Sequence, residues 1–414
     1  QRDQGLLDNI ALFTGEDVKV RSADVYVFEG LSDKDLEKIE KYLVNPVDSQ
    51  TIDLSKEVKT LKKNVADNLE NLIYDGFRDY DEETLKEFLV DENLAMNLDD
   101  LKFLQDYIKS EDRDPNETEL AIIDTYWSDH CRHTTFNTQL EVAFDDVKTD
   151  LDREIKKAFD YYLSLREELK IEKPISLMSF GTILDKYLRQ NDKLADLEVS
   201  SEINACSVKI KVRVEKNGKE ELEDYLLLFK NETHNHPTEI EPIGGASTCL
   251  GGAIRDPLSA RAIVYQAMRV VGAGNPLTPF EETLEGKLPQ RKLAIDAAKG
   301  YSSYGNQIGL AAGYMDEIYH PGYMAKRMEA GAIMACAPIE NVRRIEPTPG
   351  DVVILLGGKT GRDGIGGATG SSKSHNVESI VTESAQVQKG NAPEERKILR
   401  LFRNEKAAKL IKKC

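Results

Sequence analysis

The sequence is poor in cysteine and histidine, with five of the first and six of the second among 414 residues. The cysteines, at 131, 206, 249, 336 and 414, are odd in number, widely spread and free of any C-x-x-C pair. That pattern argues for reduced thiols in a cytosolic protein and against a disulfide framework. No apolar run approaches the roughly 18 residues of a membrane span, and the opening QRDQGLLDNIALFTG has no apolar signal-peptide core. Positive charge is in deficit: Lys and Arg number 55 against 73 Asp and Glu, a net charge of −18 at pH 7. That balance argues against a nucleic-acid or anionic-membrane surface. A phosphorylated ligand would have to be met by a few local cations and backbone N–H groups. Two common catalytic signatures are missing as well. There is no G-x-S-x-G elbow, and GGKT at 357–360 fails as a phosphate loop because its first glycine would fall on Val353. The following GRDGIGGATGSSK is not a dinucleotide fingerprint either, since the sixth position counted from Gly364 is Thr369; it reads as a flexible glycine-rich loop.

What is present points to several domains, because the chain exceeds one ordinary core. ADVYVFEGLSDKDLEKIEKYLV (23–44) reads as a strand and a helix: Val25 and Val27 alternate with Tyr26 and Phe28, Ser32 caps, and Leu36, Ile39 and Leu43 form the stripe. A small α/β unit is expected over 1–70 and helices over 71–125. Within the latter, Asn116 and Glu119 form a capping box ahead of Leu120, Ile123 and Trp127. DREIKKAFDYYLSLREELK (152–170) is an amphipathic helix. Beyond residue 200, two alternating runs flank Asn217-Gly218, a hairpin turn. ARAIVYQAMRVVGAG reads as a strand through its β-branched content. EPTPGDVVILLGG (346–358) reads as a linker into a further domain, for which too few residues remain. With Gln1 in place of Met, the expectation is a fragment or processed form.

Candidate chemistry concentrates in KNETHNHPTEIEP (230–242). If YLLLFKNETHNH is the end of a strand stopped by Pro237, its period of two puts Lys230, Glu232, His234 and His236 on one face, with Asn231, Thr233 and Asn235 on the other. Phosphate chemistry uses such a set: lysine for phosphate oxygens, a carboxylate for Mg²⁺, histidine for proton transfer. In GGASTCLGGAIRDP (244–257), glycines at 244, 245, 251 and 252 would let a loop approach phosphates, Arg255 can fork onto an anion, and Asp256 can hold a divalent metal. Two plainer readings stand beside these: a solvated strand end, and a zinc cage built from His130, His133, His234 and His236. Cys131, flanked by His130 and His133, is a poor nucleophile candidate because sequence neighbours diverge; it reads as a buried thiol.

RDPNETELAIIDTYWSDHCRHTTF, FKNETHNHPTEIEPIGGASTCLGGAIRDP, GYSSYGNQIGL and GRDGIGGATGSSKSH together resemble the phosphoribosylformylglycinamidine synthases, or formylglycinamide ribonucleotide amidotransferases, in their long single-chain form. The resemblance covers nearly the whole chain. It implies an α+β protein: an AIR-synthase-like synthetase domain over 126–345, preceded by a small α/β N-terminal domain (1–70) and a helical linker (71–125), with the start of an AIR-synthase-like C-terminal domain at 346–414. It implies a cytoplasmic, ATP- and Mg²⁺-dependent ligase of purine synthesis. Formylglycinamide ribonucleotide is activated by phosphorylation of its amide oxygen and attacked by ammonia from a glutaminase domain absent from this chain. By the same resemblance His234 is the acid–base residue and His130 a second active-site histidine. Lys230, His133 and the stretch Gly245, Ala246, Ser247, Thr248, Gly251 and Gly252 meet ATP; Glu232 and Asp256 bind Mg²⁺; Thr233, Asn235, His236, Arg255 and Gln388 hold the ribonucleotide. A zinc-dependent hydrolase and a non-catalytic fragment are the rival readings.

Overall fold

Local capping explains where the N-terminal helices begin. In the computed structural model, which describes residues 22–53, 72–202, 204–358 and 390–414 together with short stretches before residue 22 and at 55–56, Ser32 caps α1 (Asp33–Leu43) through a reciprocal box with Asp35. The strand expected before it does not form. Val25 and Val27 lie exposed in irregular chain, because no described strand stands beside them to take their backbone hydrogen bonds.

Residues 72–127 build their own small core. The helices α2 (Glu82–Asp91), α3 (Leu98–Ser110) and α4 (Glu117–Trp127) bring Tyr74, Phe77, Leu85, Leu101, Leu104, Ile108 and Leu120 together, with Ile123 and Trp127 packed against them. The Asn116–Glu119 capping box forms as expected. The buried Asp124 carboxylate accepts from the backbone N–H groups of Ala95 (2.7 Å) and Met96 (3.1 Å), fixing the α2–α3 connection. A second small core joins α5 (Asp150–Glu168) to α6 (Leu177–Gln190) through Tyr162, Leu165 and Ile183.

The largest core belongs to a five-stranded sheet in the order β1-β2-β5-β3-β4. β1 (Cys206–Lys216) and β2 (Lys219–Thr233) form the expected hairpin. Asn217 (φ 53°) and Gly218 (φ 76°) take the left-handed conformation that a tight two-residue turn demands. β3 (Ile263–Ala273) falls where its β-branched residues predict, antiparallel to β5 (Met328–Pro338) and parallel to β4 (Ala312–Tyr319). After β2 the chain turns into the short α7 (Asn235–Ile240) and then α8 (Pro242–Arg255), which lies on β2 and β5 and packs against α9 (Gln290–Ile308). Two later helices, α10 (Ala392–Phe402) and α11 (Glu405–Leu410), close the described chain, and Leu399 and Phe402 join the same core. Mixed helices around an antiparallel-rich sheet make the fold α+β. Among the described residues no helix is long and apolar enough to cross a membrane.

Candidate functional site

The site is assembled where β2 ends. Along β2 the even positions face the helices: Leu226 and Leu228 are buried, and Lys230 and Glu232 continue the same face with partial exposure. Period-two alternation therefore holds through Glu232. It fails two residues later, because the strand stops at Thr233 and not at Pro237. His234 is the junction residue (φ −139°, ψ 57°), and His236 and Pro237 lie in the first turn of α7. Proline suits that position, where its missing N–H is no loss. The four side chains thus do not share one strand face. Lys230 and Glu232 project from the strand, His234 stands at the corner and His236 is buried in the helix.

The glycine-rich stretch after it is also different from the loop expected. Gly244 to Arg255 is helical, capped by the Glu241 carboxylate, which accepts from Gly244 N–H at 2.8 Å. The glycines serve close packing. A Cβ on Gly245 would lie 2.4 Å from the Thr238 nitrogen, and one on Gly300 of α9 would lie 2.2 Å from the Ile243 carbonyl oxygen. Gly245, Ala246, Ser247, Thr248 and Gly251 are buried; Gly252 alone of that set is partly open, beside Glu232. The Ser247 hydroxyl is held by the carbonyls of Ile243 (2.6 Å) and Gly300 (2.9 Å). Backbone N–H groups committed to a helix ladder, under buried side chains, do not present a phosphate cradle.

What α8 delivers is its C-terminal end. Asp256 Oδ2 lies 2.7 Å from Lys230 Nζ, and Glu232 Oε1 is 4.0 Å from the same nitrogen. Burial works against the Lys230 charge, but Asp256 and Glu232 outweigh it and hold the ammonium above the usual lysine range. Burial raises the Glu232 carboxyl against the pull of Lys230, with His130 and Arg255 also within electrostatic reach. The His234 imidazole is pushed down to about 4, first by burial and then by the positive field of Arg255 and by His236. It is therefore a neutral imidazole at neutral pH, and its buried Nε2 has no hydrogen-bond partner among the described residues. The charge of Arg255 is felt by both Glu232 and His234.

The remaining expected residues divide. His130 reaches Glu232 electrostatically from a short helical turn, Asp129–Arg132. His133 is exposed in the left-handed conformation (φ 52°). The Asn235 amide oxygen accepts from Glu329 N–H at 2.7 Å and so ties α7 to β5. Thr233 is exposed, and Gln388 lies outside the described residues, as does all of the glycine-rich run after Gly358. The zinc cage is not assembled: among the described residues no three His, Cys, Asp or Glu side chains are grouped to hold a metal ion. Cys131 is exposed and not a buried thiol, because it lies on a short surface turn; Cys249 is the buried one.

One site residue escapes sequence reasoning. Glu395 of α10 accepts from Arg255 Nη1 (3.0 Å) and from the Tyr304 hydroxyl (2.7 Å). Glu395 is 140 residues from Arg255 in the chain, and no local pattern marks it. Beneath the site lies a buried ionic network. Glu329 pairs with Arg269 (2.6 Å) and with Arg327 (3.1 Å), while Glu239 accepts from Lys287 (3.0 Å) and from Arg327 N–H (2.6 Å).

Fold and site together define an α+β protein in which cations, carboxylates and a buried imidazole meet at a strand–helix junction. Residues 85–133 match the formylglycinamide ribonucleotide amidotransferase linker domain. The chain is 27% identical over 341 residues to phosphoribosylformylglycinamidine synthase subunit PurL of Thermoplasma acidophilum, covering 81% of this chain and 36% of that one. It is 36% identical over 183 residues to the PurL subunit of Methanothermobacter thermautotrophicus, covering 42% and 23%. A structure of Thermotoga maritima PurL complexed with FGAR is similar over 73% of this chain and 36% of that one, at 19% identity and a TM-score of 0.44. The chain is thus similar to these PurL subunits over most of its own length, and spans about a third of the length of the Thermoplasma acidophilum subunit.

Proposed function

We propose that this chain supplies the nucleotide- and ribonucleotide-handling part of a phosphoribosylformylglycinamidine synthase, an ATP-dependent ligase that converts formylglycinamide ribonucleotide to the amidine. The observation that carries the reading is the meeting of Lys230, Asp256, Glu232 and Arg255 beside a neutral, buried His234. The linker match at 85–133 and the PurL relatives support it.

In this reading ATP phosphorylates the amide oxygen and ammonia displaces the phosphate, a reaction in which positioning and electrostatics carry most of the rate. Lys230 meets the moving phosphoryl oxygens, with Gly252 the open position of α8 beside them. Arg255 and the α7 junction hold the anionic ribonucleotide. His234, neutral at working pH, takes a proton from the attacking ammonia, and His130 stands as a second imidazole by Glu232. Glu232 and Asp256 are hard oxygen donors that both approach the Lys230 ammonium, a pair that would hold Mg²⁺; bound there it would neutralise phosphate charge. Ammonia comes from a glutaminase, and the enzyme works in the cytoplasm. The domain division follows the same reading: an N-terminal unit to about residue 70, the linker, an AIR-synthase-like domain over 126–345, and the beginning of its C-terminal partner.

The test is phosphate release by the full-length protein with formylglycinamide ribonucleotide, MgATP and ammonium chloride. Release that depends on the ribonucleotide is expected. Release independent of it, or none, would remove the assignment.

A further inference from the structure

Arg255 ends α8 with a guanidinium that is nearly half exposed, a long side chain with several rotamers open to it. Something must choose among them. Glu395, almost wholly buried, receives Nη1 on Oε2 at 3.0 Å, and the same oxygen receives the Tyr304 hydroxyl at 2.7 Å. Tyr304 is itself fixed by backbone with no room to spare, since a Cβ on Gly251 would lie 2.8 Å from its hydroxyl and one on Gly390 would lie 2.7 Å from its ring. The two faces of the guanidinium are thereby distinguished. Nη1 lies toward Gly251, Tyr304 and Glu395, while Nη2 lies on the Gly252 side, where Glu232 also sits.

We propose that Glu395 is a positioning residue, which with Tyr304 locks one edge of the Arg255 guanidinium so that its other edge is held out to the anionic ribonucleotide. The inference rests on the ligase reading above and deepens it. A carboxylate that binds one edge of an arginine leaves a planar two-donor edge oriented for an anionic oxygen. Burial holds the Glu395 carboxyl above the usual glutamate range, and the hydrogen bond from Tyr304 and the charge and hydrogen bond of Arg255 only partly offset it. The clamp also makes α10, which follows the glycine-rich segment, part of the substrate site.

The experiment is a double-mutant cycle in the full-length protein, with ammonium chloride as nitrogen donor and KM measured separately for ribonucleotide and ATP. Glu395→Gln is expected to raise KM for the ribonucleotide about tenfold, the scale of one charge-assisted hydrogen bond, and to leave KM for ATP within about twofold. In the Arg255→Ala background the same change should add nothing further. Tyr304→Phe should act in the same direction with smaller size, and Glu395→Asp should recover part of the loss. Additive effects of Glu395→Gln and Arg255→Ala would overturn the proposal, as would a rise confined to KM for ATP. Should Glu395→Gln fail to fold, the cycle of Tyr304→Phe with Arg255→Ala decides on the same criterion. A wild-type protein without ribonucleotide-dependent turnover defeats the ligase reading itself; an active wild type with an additive cycle defeats only the clamp.

Discussion

Lys230 and Asp256 meet at 2.7 Å although one lies in the last residues of strand β2 and the other follows helix α8, and their contact joins the two elements that make the site. Both side chains remain partly exposed, so the pair contributes little to stability, of order 1 kcal/mol or less. Its value is positional. Lys230→Met is expected to shift the thermal midpoint only slightly while raising KM for ATP about tenfold or more. A large loss of stability with an unchanged KM would assign the lysine a structural role.

Helix packing gives a sharper contrast. A Cβ on Gly300 would come within 2.2 Å of the Ile243 carbonyl oxygen, backbone against backbone, whereas one on Gly181 in α6 meets nothing within 4 Å. Gly300→Ala should destabilise by ~3 kcal/mol or more, because α8 and α9 must separate. Gly181→Ala should stabilise by ~0.5–1 kcal/mol through better helix propensity and a less flexible unfolded chain. Chemical denaturation of the two variants checks both signs.

These contrasts explain what the sequence disclosed. The Ser32 and Asn116 caps, the Asn217-Gly218 turn and the β-branched strand β3 were legible because each rests on interactions within a few residues. The pairing of Lys230 with Glu232 was legible through strand alternation. His236 leaves the strand face because β2 stops at Thr233 and the chain turns into α7, and the glycines from 244 to 252 escape the reading because a glycine-rich stretch has the same composition whether it forms a phosphate loop or a closely packed helix. Only the partner surface, here Thr238, Tyr304 and Gly300, decides. Glu395 could not be read at all, since its meaning exists only through contact with Arg255 and Tyr304. The strand expected at Val25 to Phe28 had the alternation but no described neighbour to pair with.

The ionic network under the site predicts coupling between stability and geometry. Glu329 is fully buried, pairs with Arg269 and Arg327, and its backbone binds both His234 N–H and the Asn235 amide oxygen. Glu329→Ala leaves two buried guanidinium groups poorly compensated, at an expected cost of ~3–5 kcal/mol. Urea unfolding measures that cost. An effect below ~1 kcal/mol would mean that water or a neighbouring carboxylate, such as Glu317, compensates the charges.

His234 carries the strongest claim about chemistry. Its imidazole is buried at the junction of β2 and α7, neutral at working pH, with Nε2 unpartnered among the described residues and Arg255 close enough to be felt. In the proposed ligase reaction a neutral imidazole here would accept the proton released as the nitrogen–carbon bond forms. His234→Ala is expected to leave MgATP affinity within about twofold and to lower turnover by ~10²-fold or more. Equilibrium binding of MgATP and ribonucleotide-dependent phosphate release separate the two quantities. Turnover at the wild-type level would take His234 out of the reaction, and a parallel loss of MgATP affinity would make it a binding residue.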